Sequence, residues 1–145
     1  MRRRADRGSA VVEVVWLLLL LLVPLVYLLI AVFDVQRASY GLSGAARAAA
    51  RAYSLAPDEA SAPARARAAA AVALHDQRVD PGDVAFSVSC RPTPSNCLAP
   101  GSAIRVDLRD QVRLPLVPDA LGGGGPTFRV EASHTVVYGM FREDR

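Results

Sequence analysis

The sequence predicts an α+β protein. A long N-terminal transmembrane helix continues into an exported helical segment, and a small antiparallel sheet of three or four strands follows. Three observations carry this reading. Val14 to Phe33 is an uncharged block of twenty residues, and Pro24 alone interrupts its apolar character. Beyond it, an alanine-rich stretch repeats its apolar residues at helical spacing. From Val84 onward apolar and polar residues alternate, the period of half-buried strands. The chain has 145 residues, 52% of them hydrophobic and 21% charged, so it is not a disordered polar tail. What remains after Phe33 suffices for one small domain and excludes a multidomain enzyme. The predicted organisation is a basic leader at 1–8, a transmembrane helix at 9–33, an exported helical segment at 34–77 and a strand-rich exported domain at 78–145.

Twenty helical residues rise about 30 Å, the thickness of a bilayer's hydrocarbon core. A cleaved secretory signal has a shorter apolar region, about 7–15 residues, and then a small-residue cleavage site. Here the block runs into Asp34-Val35-Gln36-Arg37 instead. It therefore reads as a signal anchor in a single-pass membrane protein. Arg2, Arg3, Arg4 and Arg7 precede the block, and only Arg37 closely follows it. Arginine beside a membrane segment stays cytoplasmic, which predicts an N-terminus inside and residues 34–145 outside the cell membrane. All 17 cationic side chains are arginine, and the formal net charge is +3. After Phe33, thirteen arginines face twelve acids. With no basic tract there, nucleic acid is excluded as a partner.

In the exported part, Leu42, Ala46, Ala49 and Tyr53 share one helix face, and Arg47 and Arg51 lie on another. Pro57 stops or bends this helix. A second helix is expected from about Pro63 to Gln77, with Arg65 and Arg67 on a solvated face. Pro81-Gly82 marks a turn. Strand alternation runs through Val84, Phe86, Val88 and Cys90, then Ile104, Val106 and Leu108. It resumes at Val112 and Leu114 after Asp110-Gln111, and recurs at Phe128, Val130 and Ala132, followed by Val136 and Tyr138. Pro100-Gly101 and the loop Gly122–Gly125 with Pro126 connect these runs. The glycine run lacks the Lys-Ser/Thr and helix start of a phosphate loop.

Cys90 and Cys97 enclose six residues. An even pair in an exported domain reads as a disulfide. The alternatives are a zinc site with His75 and His134, a redox pair, or free buried thiols. The spacing matches no common zinc pattern, and redox catalysis needs closer, electropositive thiols. Asp76, Asp80 and Asp83 lack the run of a calcium loop. No Gly-x-Ser-x-Gly elbow is present, and no local pattern groups Ser, His and Asp. The expectation is a protein that is not an enzyme and takes no cofactor and no small-molecule substrate. One residue stands apart. Glu13 lies within Val11-Val12-Glu13-Val14-Val15, where an acid is costly and marks function by default. The plain alternative is a shallow, hydrated Glu13 near a helix start, where the macrodipole favours an acid.

The leader Arg2-Arg3-Arg4-Ala5-Asp6-Arg7-Gly8, followed by Ser9-Ala10-Val11-Val12-Glu13 and a membrane-length helix, resembles the N-terminus of type IV pilins and pseudopilins. Arg7 to Glu13 is similar in particular to the opening of TadE-like proteins, minor pseudopilins of Tad (Flp) pilus systems. Ala45-Ala46-Arg47-Ala48-Ala49-Ala50-Arg51 resembles that family's helix beyond the membrane. The likeness covers about residues 7–53. The chain departs from the pattern in having Ser9 where many pilins have Phe, Val14 where an aromatic often follows the glutamate, and only Pro24 for the proline common early in the family's membrane helix. The resemblance implies that a prepilin peptidase cuts between Gly8 and Ser9, making Glu13 the fifth mature residue. It also implies that Glu13 pairs between subunits, that the partners are other pilin or pseudopilin subunits and the membrane, and that the chain is pilus-associated. From another class stands a membrane-tethered envelope binding module that never joins a filament.

Overall fold

The structure, a computed structural model, describes residues 6–113 and 127–140, with side chains from Ala10 onward. Arg2, Arg3, Arg4, Leu114 and the expected loop Gly122–Gly125 with Pro126 lie outside the described residues.

Helix α1, Asp6–Ser54, is 49 residues long and passes unbroken through Pro24. Its two halves have opposite surroundings. From Val11 to Phe33 the large apolar side chains are exposed apart from half-buried Tyr27. From Ala38 onward one stripe is buried: Ala38, Leu42, Ala45, Ala46, Ala49, Ala50 and Tyr53. Alanine dominates this stripe and lets other elements approach the backbone closely. Arg47 and Arg51 are exposed on another face, as the spacing predicts. The helix ends at Ser54, whose hydroxyl donates to the Arg51 carbonyl at 3.0 Å, three residues before Pro57.

Helix α2, Ala62–Asp76, starts and stops within one residue of expectation. Asp58 Oδ1 accepts the Ser61 N–H at 2.8 Å, and Pro63 occupies the first turn, where its missing N–H costs nothing. Ala62, Ala66, Ala70 and Leu74 form its buried face at four-residue spacing. α2 runs back along α1 and finishes beside Gly41. A Cβ there would stand 3.1 Å from Gln77 Cβ, so glycine lets the two elements approach this closely without displacing Gln77. Arg78, at φ 57°, turns the chain out of the helix in the left-handed region. Its N–H donates to the His75 carbonyl and the Val79 N–H to the Leu74 carbonyl, closing the helix end.

Strands β1 (Ala85–Arg91), β2 (Ala103–Arg113) and β3 (Thr127–Val137) form an antiparallel sheet in that order. Val88, Val106 and His134 stand in one row. Ile104, Val106 and Leu108 point into the core, and α1 packs across β2 and β3. Asp110-Gln111 does not interrupt the alternation. β2 runs straight through, with Asp110 only 9% exposed and its Oδ1 accepting the Gln111 N–H at 2.6 Å. A carboxylate satisfied by its own neighbour keeps the strand's period, so one long strand replaces two short ones. Gly101, at φ 80°, makes the expected turn before β2.

These connections orient the domain. α2 ends near Gly41, so β1 starts at the end of the domain nearest the apolar half of α1. β2 returns to that end and β3 leaves from it. The chain between β1 and β2 lies at the opposite end, beside Tyr53.

Candidate functional site

The first feature with functional content is the N-terminal half of α1. It is long and apolar enough to cross a membrane, and nearly all of it is exposed. A core helix of a soluble domain would hide such a surface, because about 25 cal/mol is lost for each Å² of apolar area left in water. Among the described residues, the core of the head is built on the helix's other half, and in the apolar half only Ala31 is buried. Gly8 and Ser9 fall in the first turn of α1, and Glu13 follows four residues after Ser9 on the same helix. The rise between Ser9 and Glu13 is about 6 Å. Glu13 is exposed, amid the exposed Val11, Val12, Val14 and Val15. At the other end of the apolar block Asp34 and Arg37 form an ion pair at 3.3 Å.

The second feature is the far end of the head domain. Cys90, the sixth residue of β1, is joined to Cys97 by a disulfide, with the two Cα atoms 5.3 Å apart. The bonded sulfurs are no longer thiolates, which removes them from the zinc alternative. His75 is exposed at the end of α2 nearest the apolar helix, and His134 sits inside the sheet toward the far end, so the fold does not bring the two imidazoles together. Among the described residues no group of three or more His, Cys, Asp and Glu is placed to hold a metal ion.

Sequence patterns did not reveal how this end is fastened. Glu59, between the helices, accepts the Tyr53 hydroxyl at 2.6 Å on Oε1 and the Leu98 N–H at 3.1 Å on Oε2. One carboxylate thus ties the end of α1 to the residue after Cys97. Burial, the hydrogen bond to Glu59 and the Glu59 charge push the Tyr53 phenol well above its ordinary pKa. Asp58 is held below the usual carboxylate range, chiefly by the Ser61 backbone N–H. Glu59 and Leu98 are 39 positions apart and belong to no periodic pattern, so no local signal marks the pair. Arg67, expected only on a solvated face, is exposed but also holds its guanidinium 5.6 Å from the centre of the Phe86 ring. That contact fastens α2 to β1.

The fold and these features define a small α+β head with a disulfide-closed loop, carried on one long helix whose free half is apolar. No family model, no curated protein and no solved structure matches the chain.

Proposed function

We propose that this chain is a structural, non-enzymatic, pseudopilin-like subunit of a Tad/Flp-type pilus or related secretion machine. In this reading the apolar half of α1 is anchored in the cell membrane before assembly, with the N-terminus cytoplasmic and the head extracytoplasmic. The prepilin peptidase cuts between Gly8 and Ser9, and the freed helix packs against those of other subunits. The single observation that carries the proposal is Glu13. It lies five residues after Gly8, on a helix whose next twenty residues carry no charge and are mostly exposed, and whose far half is built into a head domain. An acid at that place is costly in a bilayer unless it meets an opposite charge. Cleavage before Ser9 creates such a charge, an amine about one helical turn from Glu13 on the same chain or on a neighbour.

The test combines N-terminal sequencing of the native protein with a Glu13→Gln variant as the sole copy. The mature chain is expected to begin at Ser9. The Glu13→Gln protein is expected to be inserted and cut but to leave no pili. An intact leader in cells with an active peptidase, or normal piliation by the variant, defeats the reading.

A further inference from the structure

The end of the sheet nearest the apolar helix carries chemistry that the subunit reading does not use. Ala85 pairs with Arg109, so β2 beyond Arg109 overhangs β1 and pairs only with β3. The outer face of this overhang bears Arg113 and Arg129, with Gln111 opposite Arg129. Its inner face bears Phe128, opposite Val112 and 51% exposed. The neighbouring charges are largely engaged: Arg109 meets Glu131 at 3.4 Å, and Asp110 accepts the Gln111 N–H at 2.6 Å. Asp83 lines the same open cleft as the three arginines. Among the described residues neither Arg113 nor Arg129 has an ion pair.

The height of this end follows from the fold. The far end of the sheet is fastened to Tyr53 through Glu59. From there β2 extends about 34 Å. From Tyr53 back to Val35 α1 rises about 27 Å. Val35 and Val112 both pack against the head's core, and Phe128 is opposite Val112, so Arg113 and Phe128 lie near the level of Val35, two residues past the end of the uncharged block. α1 is unbroken between the two, so the head cannot stand off from whatever surface the apolar half enters.

We propose that the overhanging end of β2 and β3 is a second membrane contact, in which Arg113 and Arg129 engage anionic phospholipid headgroups and Phe128 enters the interface beside α1. The proposal rests on the reading that the apolar half of α1 lies in a bilayer. A guanidinium binds phosphate oxygens in pairs, and an aromatic ring is favoured at the boundary between headgroups and hydrocarbon. The contact fixes the head's tilt and rotation about α1 while the subunit is still in the membrane.

The test uses the full chain in vesicles with brominated acyl chains, made of phosphatidylcholine alone or with phosphatidylglycerol. Trp16, the one native tryptophan, reports insertion of α1 by its quenching. In a Trp16→Phe background, Phe128→Trp probes the sheet end and Thr135→Trp, about 24 Å further along β3, serves as control. Both positions are exposed, so neither substitution disturbs the core. Quenching at Phe128→Trp is expected to exceed that at Thr135→Trp at least twofold in anionic vesicles and to fall in neutral ones. Each arginine contributes about fivefold to affinity for an anionic surface, so adding Arg113→Gln with Arg129→Gln should abolish the excess. Equal quenching at the two sites, or an excess indifferent to the arginine changes, overturns the proposal. So does shielding of Phe128→Trp from aqueous quencher that rises with protein density without bromine quenching, which assigns the surface to a second copy. Unquenched Trp16 in the wild type defeats the anchor reading itself.

Discussion

Replacing Glu59 by alanine removes the one carboxylate that bridges the end of α1 and the disulfide-closed loop. Two donors lose their acceptor at once: the hydroxyl of Tyr53, a residue 3% exposed, and the Leu98 N–H. A hydrogen bond to a charged group contributes about 1.5–3 kcal/mol net. Because Glu59 itself is half-buried, the lower part of that range applies to each bond, and the expected loss is about 3–4 kcal/mol. Tyr53→Phe removes only one of the two bonds and should cost about half as much. Glu59→Gln keeps the shape but turns an amide N–H₂ toward one of the two donors, so it should resemble the single loss or exceed it. The assay is urea unfolding of the full chain in micelles, with hydrogen exchange of the Leu98 amide as a local readout. Faster exchange at Leu98 in Glu59→Ala, and a coupling energy above about 0.5 kcal/mol in the cycle with Tyr53→Phe, are expected. A change within about 0.5 kcal/mol for Glu59→Ala, the scale of an ordinary surface substitution, would refute the bridging role.

Replacing both Cys90 and Cys97 by serine should lower stability by about 2.5 kcal/mol on the chain-entropy account of so short a loop, read as a lower urea midpoint. Gly41 and Gly44, three residues apart on α1, should respond with opposite signs. Gly44→Ala meets nothing within 4 Å and should stabilise by about 0.5–1 kcal/mol, whereas Gly41→Val drives its side chain into Gln77 and Val79 and should cost about 1–3 kcal/mol. Arg78→Gly relieves a left-handed backbone at an exposed helix end and should raise the melting temperature, by the equivalent of about 1 kcal/mol.

Much of this protein is legible from local chemistry. A run of twenty uncharged residues needs no tertiary context to be recognised as membrane-length, because hydrophobicity and helical rise are properties of the segment itself. The buried stripe of Leu42, Ala46, Ala49 and Tyr53 and the inward rows of β2 and β3 follow from periods of 3.6 and 2. Pro57, Pro63 and Gly101 mark boundaries because their backbones permit few or unusual conformations. Two cysteines with six residues between them suggest their own partnership.

Tertiary structure decided what depends on distance in space rather than along the chain. Asp110 suggests a strand break by type, yet within β2 it stays paired with Val130 and its carboxylate accepts the Gln111 N–H, so the alternation runs on. Arg67 reads as solvated until α2 lies over Phe86. Gly41 looks like a weak point in a helix until the end of α2 closes to within 3.1 Å of where a Cβ would be. Glu59 is one acid among fourteen in the sequence, and only the fold sets its two oxygens before Tyr53 and Leu98. The same holds for Arg113, Arg129 and Phe128, whose common height at the foot of the head follows from strand direction and helix length together. Periodicity records which face a side chain takes within its own element. Which element that face meets is settled only when packing excludes water from the space between them.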